Sequence, residues 1–153
     1  MNMNTFTETL NGTLYGVMSW VQWETLQATM LKNRKDGWYV YYVGEKIPVH
    51  KQSNEGFAHI LGEINQLLRR DHDESYLGII YTDHFDAPTL IEIYDPNNLG
   101  AYCGSSGKVI PPGWIISKMP PEVVIAPQII PQGRKRWWKN LLPHPGSTTH
   151  SPT

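Results

Sequence analysis

Apolar side chains recur along this chain with two periods, and the period assigns each segment. Phe57, Ile60, Leu61, Ile64, Leu67 and Leu68 fall at spacings of three and four, which places them on one face of a helix. Arg69 and Arg70 follow near its C-terminal end, where cations suit the helix dipole. Trp20, Trp23, Leu26 and Met30 repeat that spacing and predict a second amphipathic helix ending near Lys32. Ser19 precedes it, with Gln22 three residues on, the pattern of a capping box. A short helix is expected within residues 5–15, against the weakening effect of Gly12 and Gly16. Residues 38–43, Trp-Tyr-Val-Tyr-Tyr-Val, are aromatic and β-branched throughout and predict a strand covered on both faces. Residues 76–82 and 89–95 predict two strands of an antiparallel hairpin joined by Asp83-His84-Phe85-Asp86-Ala87-Pro88. Residues 114–117, bounded by Pro112 and Pro120, predict an edge strand able to pair with a second copy of the chain.

In the resulting order α-α-β-α-β-β-β, the long helix connects the strand at 38–43 to the strand at 76–82. Such connections favour parallel strands and a right-handed crossover. The expected fold is an α+β two-layer sandwich, a small mixed β-sheet of three or four strands with helices on one face. A Pro-rich C-terminal extension follows, because nine of the twelve prolines lie at or after Pro111 and proline is excluded from helix interiors and central strands. The expected organisation is a compact domain over 1–119, a Pro-rich extension over 120–133, a basic aromatic segment over 134–145 and a disordered tail over 146–153.

Composition narrows the function classes. The 153 residues suit one ordinary domain, and the single cysteine excludes an intrachain disulfide framework or a Cys-built zinc site. No apolar run approaches the ~20 residues that cross a bilayer, and the first eight residues lack the pattern of a secretory signal, so a cytoplasmic protein is expected. The net charge of -1 hides an asymmetry. Arg134, Lys135, Arg136 and Lys139 give the segment after residue 133 a charge of +4, which leaves -5 on the first 133 residues.

Two acidic-histidine clusters, Asp71-His72-Asp73-Glu74 and Asp83-His84-Phe85-Asp86, invite a metal reading. They flank a seven-residue strand, so at ~3.3 Å per residue they stand ~20 Å apart and cannot share an ion. Taken singly, each reads as a polar loop, and neither a metal nor a cofactor is expected. His84 beside Phe85 reads as a solvated hairpin tip, with partner binding or the gating of a pocket as the alternative. The same topology gathers Asp83, His84 and Asp86 with His50 at one rim of the sheet. It gathers His72 and its acids with the loop after Asp95 at the other.

That loop, 96–112, is long enough to suggest function. Asn97, Asn98, Gly104, Ser105, Ser106 and Gly107 are its candidate binding positions. A phosphate-cradling motif fails, because Gly107-Lys108 is preceded by Tyr102 where Gly is needed and followed by Val109 where Ser or Thr is needed. A calcium loop starting at Asp95 fails at Leu99 and Ser106. A thiol nucleophile remains as the alternative: Cys103 activated by His72, with Asp73, Asp71 or Asp95 orienting the imidazole.

Arg134-Lys135-Arg136-Trp137-Trp138-Lys139 is short, basic and aromatic. It suits an anionic membrane surface, nucleic acid or an acidic protein surface, and the acidic body favours the last, in the chain itself or in a partner. Membrane contact is expected to be weak and nucleic-acid binding unfavoured; Trp38, Tyr39, Tyr41 and Tyr42 are accordingly expected to pack in the sheet and not to stack on bases. The function expected from the residues is a non-catalytic accessory protein. It acts through protein contacts of the 96–112 loop and the 134–142 tail.

Overall fold

The computed structural model describes residues 4–97, 111–124 and 132–142. Three of its helices begin at hydroxyl caps. Thr5 opens α1 (Phe6–Leu10) and Ser19 opens α2 (Trp20–Lys32), each as a complete capping box with Glu8 or Gln22. The Gln22 side chain takes two backbone N–H groups, Ser19 at 3.2 Å and Met18 at 2.8 Å. Ser53 caps α3 (Asn54–Asp71) by accepting from the Gly56 N–H at 3.0 Å. These side chains satisfy donors that a helix start leaves without partners.

Residues 5–15 hold the expected short helix, and a strand that the sequence did not announce follows it. The helix ends at Leu10, and the chain then enters β1 (Tyr15–Ser19). Gly12 and Gly16 disfavour helix, and Val17 supplies the one fully buried apolar side chain that ties this strand to the core.

Among the described residues the sheet has five strands, not three or four, and it is antiparallel throughout instead of mixed. Its order is β1, β3 (Tyr76–Thr82), β4 (Leu90–Ile93), β5 (Trp114–Ser117), β2 (Tyr39–Tyr42). The expected parallel crossover from β2 to β3 is absent because the chain makes an extra traverse. After β2 the Val43 N–H bonds to the Gly113 carbonyl at 2.9 Å, and the chain then runs back until the Gln52 N–H reaches the Trp38 carbonyl at 2.8 Å. α3 therefore starts at the rim where β2 started, and β2 and β3 point in opposite directions. β5 is also not an edge. It lies between β4 and β2, which removes the expected self-pairing at Trp114. Gly78 adopts φ +66° in β3, where an added Cβ would stand 2.6 Å from the Tyr76 ring. This conformation accompanies the bulge that sets Ser19 opposite Tyr76.

One face of the sheet carries the main core. Val17, Val40, Ile80, Ile91, Ile93 and Ile116 meet Trp23, Leu26 and Met30 of α2 and the apolar stripe of α3. Trp38 stacks on Phe57 at 5.7 Å, and Trp23 Nε1 donates to Asn65 Oδ1 at 3.0 Å, tying α2 to α3. On the opposite face Tyr41, Val43, Leu90 and Ile115 pack with Phe6 of α1 and Met119. Helices thus cover both faces, not one. The last described helix, α4 (Gln132–Leu141), adds Trp138 to the main core. No helix among the described residues is long and apolar enough to cross a membrane.

Candidate functional site

One rim of the sheet collects most of the residues with chemical potential. The C-terminal end of α3 brings Asp71 and His72, the end of β4 brings Asp95, and β5 and β2 bring Trp114 and Tyr42. α4 lies across them. Arg134, 7% exposed, sends Nε to Asp95 Oδ2 at 2.8 Å and Nη2 to Asp95 Oδ1 at 3.0 Å and Asp71 Oδ2 at 2.7 Å. Arg70 holds the same Asp71 carboxylate through Nε at 2.9 Å and Nη2 at 3.2 Å. Asp95 Oδ1 also accepts the Asn97 N–H at 2.9 Å.

Two carboxylates and two guanidinium groups balance, and each of the four carboxylate oxygens accepts at least one hydrogen bond. The hydrogen bond from Arg70, against burial and with help from Arg134, holds the Asp71 carboxyl down to about 2. Burial works against the charge of Arg134, but its hydrogen bonds to Asp95 and Asp71 outweigh that and raise its pKa. Burial, reinforced by the Asp95 carboxylate, pushes the Tyr42 hydroxyl up.

Aromatic packing completes the attachment. Tyr42 stacks on Trp114 at 5.3 Å, and Trp138 meets Tyr42 edge-on at 5.2 Å. Trp137 meets Trp114 edge-on at 5.7 Å. A ten-residue helix is marginal alone, so α4 owes its order to this ion-pair network and to its tryptophans. Trp114 Nε1 is buried with no hydrogen-bond partner among the described residues.

The expected partner-binding set divides accordingly. Arg134 and Trp138 point inward and are buried, Lys135 and Trp137 are half-buried, and Arg136 and Lys139 are exposed. His72 places Nε2 3.0 Å from the Tyr76 carbonyl and its ring 6.3 Å from that of Trp20. Asp73 is exposed, and Asp71 and Asp95 are committed to arginines, so no acid among the described residues bonds to the His72 ring. Asn97 is exposed at the edge of the described loop. Cys103, Asn98, Gly104, Ser105, Ser106 and Gly107 lie outside the described residues.

At the opposite rim Asp83 is structural. Its Oδ1 accepts the N–H groups of Thr89 at 2.9 Å and Leu90 at 3.0 Å, while Oδ2 accepts the Thr89 hydroxyl. That lock fixes the hairpin and leaves His84, Phe85 and Asp86 exposed. His50 is exposed on the returning segment after β2. The two acidic-histidine clusters stand at opposite ends of β3, and no three His, Cys, Asp or Glu among the described residues gather as a metal site requires.

Sequence reasoning missed Glu92. It sits in mid-strand on β4, opposite Tyr81 of β3 and Ile115 of β5, and burial pushes its carboxyl up to about 7. A lone acid inside Leu-Ile-Glu-Ile-Tyr was the available signal. Compared with known proteins, the chain matches no family model, no curated protein and no solved structure.

Proposed function

We propose that this protein is a non-catalytic accessory protein that binds other proteins through the 96–112 loop and the outward face of α4. The supporting observation is the clamp at Arg134. It turns a basic aromatic segment into a helix fixed on the body, so that Arg136 and Lys139 stand outward on a rigid support next to the root of the loop. A fixed pair of cations suits an acidic patch on a partner, because little side-chain and backbone freedom remains to be lost on binding. A cytoplasmic location accompanies this reading, and the acidic body makes nucleic acid a poor partner.

Affinity capture with the intact chain and with an Arg136→Glu/Lys139→Glu double variant tests it. Both side chains are exposed, so the variant should keep the unfolding temperature of the parent. The expected result is a several-fold loss of recovered partner proteins. Undiminished recovery with the double variant overturns the assignment of this face.

A further inference from the structure

The outer edge of β1 carries a second surface, remote from α4. Ladder parity fixes which backbone groups it offers. The Tyr94 N–H bonds to the Ile79 carbonyl, so Ile79 and Tyr81 turn their backbone toward β4, and Ile80 and Thr82 turn theirs toward β1. Val17 and Tyr15 are their partners and face inward, which leaves Gly16 and Met18 facing outward. The Met18 N–H is taken by Gln22. The Gly16 N–H and carbonyl and the Met18 carbonyl meet no other strand among the described residues.

Apolar side chains crowd the same edge. Of the seven large apolar side chains exposed among the described residues, five lie on it or beside it: Tyr15, Met18, Val21, Tyr76 and Phe85. The Tyr76 hydroxyl reaches Met18 Sδ at 3.1 Å, and the Tyr15 and Phe85 rings stand 6.5 Å apart. Phe85 separates two hollows. One, of about 440 Å³, lies between Tyr15 and the hairpin tip; the other, of about 240 Å³, lies against Val21, Thr25 and Thr29 of α2. Asp86 lines both, and among the described residues no lysine or arginine lines either.

An open strand edge, an apolar patch beside it and a side-chain hollow with an unbalanced acid are the parts of a β-addition site. We propose that β1 receives an extended segment of a partner protein as a sixth strand, with an apolar side chain beside Phe85 and a lysine or arginine against Asp86. A second copy of this chain fits less well. Antiparallel pairing of two β1 strands sets the Ser19 end of one against the Tyr15 end of the other. Asp73 and Glu74, which adjoin the Ser19 end through the bond from Trp20 Nε1 to the Glu74 carbonyl, would then face Asp86. Like charges so placed oppose association. The proposal stands or falls separately from the reading of α4.

The probe is a fluorescein-labelled eight-residue peptide alternating valine with lysine, beside a second in which every lysine is glutamate. Fluorescence anisotropy is measured with the full chain, with Asp86→Lys and with Gly16→Pro. Asp86 is exposed and makes no hydrogen bond among the described residues, so its replacement leaves the fold intact. The expected result is saturable binding of the lysine peptide, weakened on the order of tenfold by Asp86→Lys, which also reverses the preference between the two peptides. Gly16→Pro removes an outward N–H without breaking the ladder, shifting only the flexible end of the Met18 side chain that its Cβ would meet, and should abolish binding. No binding of the lysine peptide up to about 1 mM overturns the proposal. Equal binding of both peptides, or an unchanged affinity with Asp86→Lys, does the same. The Arg136→Glu/Lys139→Glu variant should bind the lysine peptide as the parent does, whatever its behaviour in affinity capture.

Discussion

Replacing Glu92 with glutamine should stabilise the protein above neutral pH and leave it nearly unchanged below pH 4. Glu92 lies on the face of the sheet that also carries Leu90 and Ile115, and no described residue donates a hydrogen bond to its carboxyl. Burial lifts the pKa from 4.5 to about 7. Between those values the folded chain keeps a proton that the unfolded chain has already lost, so rising pH favours unfolding. Each pH unit of separation corresponds to about 1.4 kcal/mol, so about 3 kcal/mol of stability present below pH 4.5 is gone above pH 7. Glutamine has the shape of the protonated acid and does not ionise.

Urea unfolding of the parent and of Glu92→Gln at pH 5, 6, 7 and 8 reads the effect directly. The variant's advantage should stay under about 1 kcal/mol at pH 5 and grow to about 3 kcal/mol at pH 8. Two tyrosines share this part of the sheet with the carboxyl: Tyr81, opposite Glu92 in the strand pair, and Tyr94, whose ring packs edge-on against Tyr81 at 6.0 Å. Burial first, and the charge of Glu92 second, push the Tyr94 hydroxyl up to about 12. Parallel stability curves, or a variant less stable than the parent at pH 8, would refute the reasoning. Either outcome would mean that a hydroxyl donates to the carboxylate and offsets its burial.

Two further outcomes follow from the helix attachments. Arg134→Met should cost about 3–5 kcal/mol in urea unfolding, because it leaves the 3%-exposed Asp95 without its counter-charge; near-UV circular dichroism should fall as Trp137 and Trp138 come loose. Ser19→Ala should cost about 1 kcal/mol by removing the acceptor of the Gln22 N–H, and Ser19→Asp should recover most of that loss.

The features legible in the sequence are those decided within a few residues. The α3 stripe, the Ser19–Gln22 capping box and the hairpin around Asp83 each depend on neighbours in the chain, and each is found where the spacing puts it. The hairpin alone also places Asp71 and Asp95 at one rim. What escaped depends on distant partners. β1 is five residues long with one fully buried side chain, and the strand it pairs with lies some sixty residues away in sequence. The direction of β2 hangs on the return of segment 43–53, which has no apolar period to announce it. The prolines around 114–117 suggest an edge, yet they bracket a strand buried at all four positions. Arg134 finds Asp95 and Asp71 across 39 and 63 residues, a pairing that charge counting allows but cannot single out.

The two edges of the sheet are protected unequally, and that difference bears on function more than either edge alone. Open strand edges invite unwanted pairing, and proteins normally block them. At β2 the returning segment covers both ends, supplying the Glu45 N–H to the Tyr42 carbonyl at 3.0 Å and the Gln52 N–H to the Trp38 carbonyl, and Val40 between them is 2% exposed. At β1 one outward donor, the Met18 N–H, is used in capping α2, and the groups of Gly16 are left beside Tyr15 and Phe85. Stability does not require this. A charged residue in place of Tyr15, 49% exposed, would add no buried charge and would guard the edge. Among the described residues, an edge left open where a single substitution would guard it, next to hollows that hold an unbalanced acid, fits a strand kept available for a partner.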